Sequence, residues 1–465
     1  MDHLTIGDPR TRDAVVGRPA DRPLLLTGGT VVSQDPGTGV LAEGEVLVSG
    51  SRIAAVGRPG STPVGEDALV VDATGYVIAP GFVDTHRHAW ETQLRFLMPD
   101  VDDLGAYVTT TLAGIAPAYT PDDVRTGTRL AALTALDSGI TCMLDFAHNA
   151  RSAAHADAAV EGLLGTGIRG VHASMRPHFG DWDGQWPQDL ERMASRYGGE
   201  ELLTLRLAAL ATDEIAGPDL AFGEALARVA RDLDLGVSVD AVFGASGSRA
   251  VERWTDAGLL SPRVTLIHCT GLEPAAWRRM ADTGTTVSLA PTSEAQIGLE
   301  TAVPAVDEAR AVGIRPGLSI DVEVALAGDM ATQMRTLLSI QRMRAVERTY
   351  GTGQAPDRIG VQDVLDHATT DGARTNGLGD VTGSLTVGKQ ADLLLVDARA
   401  VSTMPLNDPV ATLVQAADRR NVRGVLVAGA ARKWDGELCG VDLAALHAEV
   451  VASRDAVLRR AGRAA

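Results

Sequence analysis

The chain is poor in sulfur: three cysteines, Cys142, Cys269 and Cys439, lie far apart among 465 residues. An odd, scattered set excludes a disulfide framework and suits a reducing cytoplasm. Aromatic residues make up only 4% of the chain while glycine and alanine are abundant, which reads as compositional bias rather than a structural device. No apolar run approaches the roughly 20 residues that span a bilayer, and no low-complexity tract or short repeat is evident. The N-terminal "MDHLTIGDPRTRDAVVGRPADRP" lacks the apolar segment of a secretory signal or anchor and is expected to fray. Positive charge is also in deficit. With 42 basic against 60 acidic residues the net charge is −18, which argues against nucleic-acid and anionic-membrane partners and favours plain solubility.

What is present is enough apolar material, 45% of residues, for one large domain and a smaller one. From Leu24 to Ile78 short β-rich segments alternate with turns: "LLLTGGTVVS", "GEVLVSGSRIAAVG", "ALVVDATGYVIAP". From Gly81 strand-like runs alternate with amphipathic helical stretches, the sequence form of repeated βα units. Eight such runs occur: "FVDTHRH", "ITCMLDF", "IRGVHASM", "LTLRLAALA", "GVSVDAV", "VTLIHCT", "TTVSLAPT" and "IRPGLSID". Eight units over about 300 residues suit an α/β (β/α)8 TIM barrel better than an open doubly wound sheet. Pro121 can start and Gly139 end one barrel helix, and Gly284 can close another. After a helical stretch from Leu326 to Arg348 and another near Val361 to Thr375, strands return in "GSLTVGKQADLLLVD" and "NVRGVLVAGAARKWDGELCG". The expected division is a barrel over residues 81–382 and a composite β-sandwich from residues 1–80 and 383–465. A homodimer is a further expectation, since the 326–348 stretch could pack against a second copy, although a barrel helix explains it equally well.

"GFVDTHRHAW" places His86 and His88 two apart at the end of a strand, so both imidazoles share a face while Arg87 points away. Barrel chemistry sits at the C-terminal ends of the strands. Strand five carries Asp240, strand six ends in His268 and strand eight in Asp321, so five potential ligands meet at one mouth. Imidazole and carboxylate suit Zn²⁺, Fe²⁺ or Mn²⁺ with one position open to water. An ion there lowers the pKa of water, and Asp321 could take the proton and pass it to a leaving group. Trp90 and Gln93, past strand one, suit stacking on and hydrogen bonding to a flat ligand, although Trp90 suits packing of the loop to Tyr119 as well. His178 past strand three and Glu294 past strand seven are further candidates for substrate contact. His148, His155, His172, His367 and His447 lack matching partners and read as surface or packing residues.

"PGFVDTHRH", "LIHC", "LSIDVEVALAGDM" and "GSLTVGKQADLLLVD" together resemble the amidohydrolase superfamily, in its cytosine-deaminase-like and chlorohydrolase-like branch. The resemblance runs from about Leu24 to Gly440. It implies a metal-dependent hydrolase that attacks a ring or amidine carbon of a small molecule and expels ammonia, an amine or a halide, with zinc as the first choice of metal. It also implies that His86 and His88 are first-strand ligands, Asp321 the strand-eight ligand and proton acceptor, and His268 the group that holds water or substrate. One departure stands out. The pattern expects a ligand histidine on strand five and, in deaminases, a glutamate three residues later, where this chain has Asp240 and Phe243.

Two readings follow from that departure. Asp240 could ligate through oxygen, shifting preference towards manganese or iron. Alternatively the metal is lost, and Asp240 and Asp321 run acid–base chemistry as a lyase, dehydratase or isomerase, because without a cation like charges raise one of two neighbouring carboxyl pKa values. A non-catalytic binding protein on a decayed scaffold is the remaining alternative. Nothing in the sequence selects the substrate.

Overall fold

In a computed structural model that describes residues 4–213 and 217–463, eight parallel strands follow one another around a barrel. They are β1 (Phe82–Arg87), β2 (Ile140–Ala147), β3 (Arg169–Ser174), β4 (Leu203–Leu210), β5 (Gly236–Val242), β6 (Val264–His268), β7 (Thr286–Leu289) and β8 (Gly317–Leu318). Beyond β8 the chain returns to β1: the Asp321 N–H donates to the His86 carbonyl (2.9 Å) and the His88 N–H to the Asp321 carbonyl (3.1 Å). The sheet is thereby nearly closed, and the barrel read from the sequence is the one observed. Every residue of β1 and β2 is buried, as expected of strands covered on both faces; β2 runs mostly apolar without alternation, whereas β1 buries Asp84, His86 and Arg87 as well.

Helices cover the outside. Pro121–Asp137 starts with a capping box between Thr120 and Asp123, which satisfies first-turn N–H groups that have no helical partner. Pro274–Thr283 stops at Gly284, which takes a left-handed φ of 70°, cheap for a residue without Cβ. The long helix spans Met330–Thr349; its start is set by Asp329, which caps Thr332, so it begins four residues later than its apolar pattern suggests.

The chain ends build one ten-stranded sheet. Tyr76–Pro80, just before the barrel, pairs antiparallel with Leu393–Asp397, just after it, in register Ile78 to Leu395. Alternation along these strands places Val77, Ala79, Leu394 and Val396 in the barrel-side core, and Ile78, Leu393 and Leu395 in a second core with Leu24, Leu26 and Trp434. Two features depart from expectation. The N-terminal stretch is folded: Leu4–Thr5 pairs with Leu69–Asp72 and helix Pro9–Val16 is capped by Asp8, with Ile6 and Val15 buried. The other is at the C-terminus, where Leu443–Arg460 is a helix rather than part of a sheet. It packs Val457 and Leu458 among Leu112 and Ile115. No helix among the described residues is long and apolar enough to cross a membrane.

Candidate active site

The strand ends at the barrel mouth depart from regular geometry. A bulge in β5 sets Val239 opposite Leu266 but Val242 opposite His268, so Asp240 and Ala241 are re-aimed. Ala241, His268 and Asp321 all take positive φ, between 59° and 72°, at a cost of about 1–3 kcal/mol each that the surrounding fold must offset. The kinks gather five side chains. His86 Nε2 and His88 Nε2 each lie 3.2 Å from Asp321 Oδ1 and 3.8 Å from Asp240 Oδ2. His268 Nε2 lies 3.4 Å from Asp240 Oδ1 and 3.9 Å from Asp321 Oδ2.

The backs of two of these rings are held. His88 Nδ1 sits 3.2 Å from the Phe146 carbonyl, and His268 Nδ1 sits 3.3 Å from Glu294 Oε1. A carbonyl can only accept, so His88 donates from Nδ1 and turns Nε2 towards the carboxylates, where it carries a proton for Asp321 in the absence of a cation and would offer a lone pair to one. Both nitrogens of His86 are buried with no hydrogen-bond partner. Buried polar atoms are almost always paired, and an orphaned imidazole facing two carboxylates is what a cation would complete. The donor atoms of His86, His88 and Asp321, and those of His86, Asp240 and His268, lie within 4.8 Å of one another in each group, so a divalent ion fits the residues present.

Electrostatics agree with that fit. Burial opposes charge throughout, yet the Asp321 hydrogen bond and the two carboxylates carry His88 up to about 9. Burial likewise opposes ionisation of Asp321 and Asp240, and the imidazoles outweigh it, holding both well below the usual carboxylate range. The pair therefore stays ionised and demands positive charge between its members. Ser293 Oγ also donates to Asp321 Oδ2, fixing its orientation.

The remaining sequence candidates separate. His178 lines the cavity with His88, Asp240, His268 and Asp321, whereas Trp90, Gln93 and Glu294 are not part of its wall. The segment after β1 turns inward as Ala89–Leu94. Gly127 admits this turn, since a Cβ there would meet the Trp90 carbonyl at 2.1 Å. Trp90 consequently packs edge-on to Tyr119 (4.8 Å), and Gln93 Nε2 donates to the Asp123 carbonyl (3.0 Å) and Ser453 Oγ (3.3 Å). Glu294 stands behind His268 and also accepts the Ala290 N–H (2.9 Å). Ser293 and the apolar lining escaped the sequence reading, and His148, read there as a surface or packing residue, lies in the cavity wall. His148, immediately after β2, stacks on His88 at 4.0 Å and meets His178 edge-on at 5.0 Å. Its place at a strand end was the available signal. By contrast His172 pairs with Asp145 (3.2 Å) and His367 with Asp371 (3.0 Å), both buried packing roles.

A nearly closed parallel barrel with imidazoles and carboxylates at its C-terminal mouth defines an α/β-barrel protein with a metal-capable site. The profile of the Amidohydrolase family matches residues 77–432, and the chain belongs to that family. Among similar curated proteins, 5-methylthioadenosine/S-adenosylhomocysteine deaminase of Pelotomaculum thermopropionicum is 27% identical over 419 residues, 87% of this chain and 92% of that protein. The 8-oxoguanine deaminase of Pseudomonas aeruginosa is 29% identical over 447 residues, 90% and 96%. Among solved structures, an adenosine deaminase from Xanthomonas campestris with bound zinc superposes with a TM-score of 0.80 at 25% identity, covering 93% and 98%. Atrazine chlorohydrolase from Arthrobacter aurescens complexed with zinc gives 0.78 at 19% identity, covering 92% and 99%, a likeness of fold. Deaminases among these matches favour the hydrolytic branch over a lyase or isomerase.

Proposed function

We propose that the protein is a divalent-metal hydrolase that removes an exocyclic amino group, or an equivalent leaving group, from a small nitrogen heterocycle. The observation that carries this reading is the meeting of His86, His88, Asp240, His268 and Asp321 within a few ångströms, with both His86 nitrogens buried and outside any protein hydrogen bond. His86, His88, Asp240 and Asp321 would hold the ion; zinc is the proposed identity, given the zinc-bound fold relatives, with iron or manganese as alternatives suited to the extra carboxylate. When bound, such an ion supplies Lewis acidity, polarising an oxygen and offsetting negative charge in the transition state.

The chain's own groups do the rest. Asp321, ionised and fixed by Ser293, accepts a proton from the attacking water and returns it to the departing nitrogen. The water oxygen bonds to the ring carbon, the carbon–nitrogen bond breaks, and the amino group leaves as ammonia with one of the water's protons, the other passing to the adjacent ring nitrogen of the product. His268, held by Glu294, keeps the reacting oxygen beside Asp240 and Asp321. We assign this chemistry to residues 81–382, with residues 1–80 and 383–465 as its support, and the buried free cysteines suit a cytoplasmic setting.

The test pairs elemental analysis of chelator-free protein with ammonia release from 5-methylthioadenosine, S-adenosylhomocysteine and 8-oxoguanine. The expected result is about one divalent ion per chain and loss of turnover on chelation. A metal-free preparation with undiminished turnover overturns the proposal.

A further inference from the structure

The cavity has two unlike walls. One carries the ion-binding cluster together with His148 and His178; the other is apolar, with Leu104, Val108 and Leu112 from the segment after β1 facing Ile297 and Leu299. His148 Nε2 and His178 Nδ1 are both buried without a hydrogen-bond partner. The two rings meet edge-to-face, and burial drives His178 down to about 4, so a neutral imidazole, with one donor and one acceptor nitrogen, faces the ligand. Among the described residues no lysine or arginine lines this cavity. Arg176, close by in sequence, lines a separate cleft, and its Nη1 donates to the Pro177 carbonyl (2.9 Å).

We infer that His148 and His178 read the substrate, and that this substrate is uncharged, with a polar heterocyclic edge against the histidine pair and an apolar substituent under the 104–112 segment. The inference rests on the hydrolase reading and narrows it. A ligand carboxylate or phosphate would enter a space where Asp240 and Asp321 already offset the proposed ion's charge, with no lysine or arginine to meet it and apolar surface where its tail must lie; leaving such a charge unpaired is costly. An uncharged ring instead supplies the hydrogen bonds that the two imidazoles lack, and each such match discriminates strongly against a ligand that cannot make it.

Matched ligand pairs test this: 5-methylthioadenosine against S-adenosylhomocysteine, and adenosine against its monophosphate, titrated into metal-loaded protein by calorimetry. In each pair the uncharged tail is expected to bind at least ~10-fold more tightly than the zwitterionic or anionic one. Equal or tighter binding of the charged member, or binding of no member, overturns the inference. His148→Phe keeps a ring against His88, and together with His178→Phe it is expected to weaken binding ~10-fold with metal content unchanged, while His178→Asn restores part of the loss. Binding at wild-type strength in both phenylalanine variants removes the histidine pair from the proposal. Metal-free protein that retains the preference and full turnover sinks the hydrolase reading alone. Metal-loaded protein that processes both members of a pair alike sinks this inference alone.

Discussion

The two faces of β1 both carry buried charge, and they treat it differently. On the outer face Arg87 is fully buried, yet each arm of its guanidinium is engaged: Nε with Asp84 Oδ2 (2.8 Å), Nη1 with Glu323 Oε1 (2.7 Å) and Nη2 with the Gly328 carbonyl (3.2 Å). Glu323 Oε2 takes Arg95 Nε (2.7 Å), and Asp84 Oδ1 takes the Ile320 N–H (3.1 Å). On the inner face, one residue before Arg87, His86 has no hydrogen-bond partner at either nitrogen. A closed network stabilises the fold and pins the end of β1 to the segment after β8. An open one, kept at equal depth, makes sense only if something outside the chain completes it.

The largest expected effect contrasts those faces directly. Arg87→Met strands Asp84 and Glu323 in the interior and is expected to lower the unfolding free energy of metal-free protein by about 3–5 kcal/mol. His86→Asn removes one of three imidazoles that offset Asp240 and Asp321 and leaves His88 and His268 in place, so the same denaturant titration should move by a smaller amount, about 1–2 kcal/mol, while turnover falls at least ~100-fold. If the two variants lose stability equally, the inner cluster is part of the frame and the contrast collapses.

How much of this could be read from the chain alone depends on the direction in which the information runs. The βα rhythm and the apolar strands are local patterns, so the barrel and the strand ends bearing His86, His88, Asp240, His268 and Asp321 were visible in one dimension. Which way a side chain turns just beyond a strand is not local. Trp90 and Gln93 lie at a strand end too, but Gly127 on a later helix lets their segment fold inward onto Tyr119 and Asp123. His148 offered no spacing partner, because its neighbours His88 and His178 come from other strands. The C-terminal helix was hidden for a related reason: its contacts with Leu112 and Ile115 cross more than 300 residues of sequence, and its own apolar stripe is thin.

Glu91 gives an intermediate effect and sharpens the contrast from the inner side. It is fully buried, accepts the Tyr107 hydroxyl at Oε2 (2.9 Å), and has no partner at Oε1. Burial lifts its carboxyl from 4.5 to about 8, against the pull of His88. The folded chain therefore binds this proton more tightly than the unfolded one, so its contribution to stability is complete below about pH 4.5 and is lost as pH rises towards 8. Metal-free protein should show a downward slope of at most about 1.4 kcal/mol per pH unit in that window, flattened in Glu91→Gln. Metal loading should also shrink the slope, because a nearby cation favours the carboxylate. A slope indifferent to loading would place the ion elsewhere.

The smallest effect comes from a charge pair on neither face of β1. Arg420 Nη2 lies 2.7 Å from Asp418 Oδ2, as short as the Arg87 to Glu323 contact, but the Arg420 side chain is 80% exposed. Water solvates both partners in the unfolded and folded chain alike, and the arginine gives up rotamer freedom to make the contact, so the gain and the cost nearly cancel. Arg420→Ala is expected to leave the unfolding midpoint where it is within the error of the titration, measured under the conditions used for Arg87→Met. Equal distances with unequal energies would show that burial and completeness of partners, rather than contact length, separate the frame from the site. A loss at Arg420 as large as that at Arg87 would remove burial as the deciding variable and leave the two faces of β1 distinguished by geometry alone.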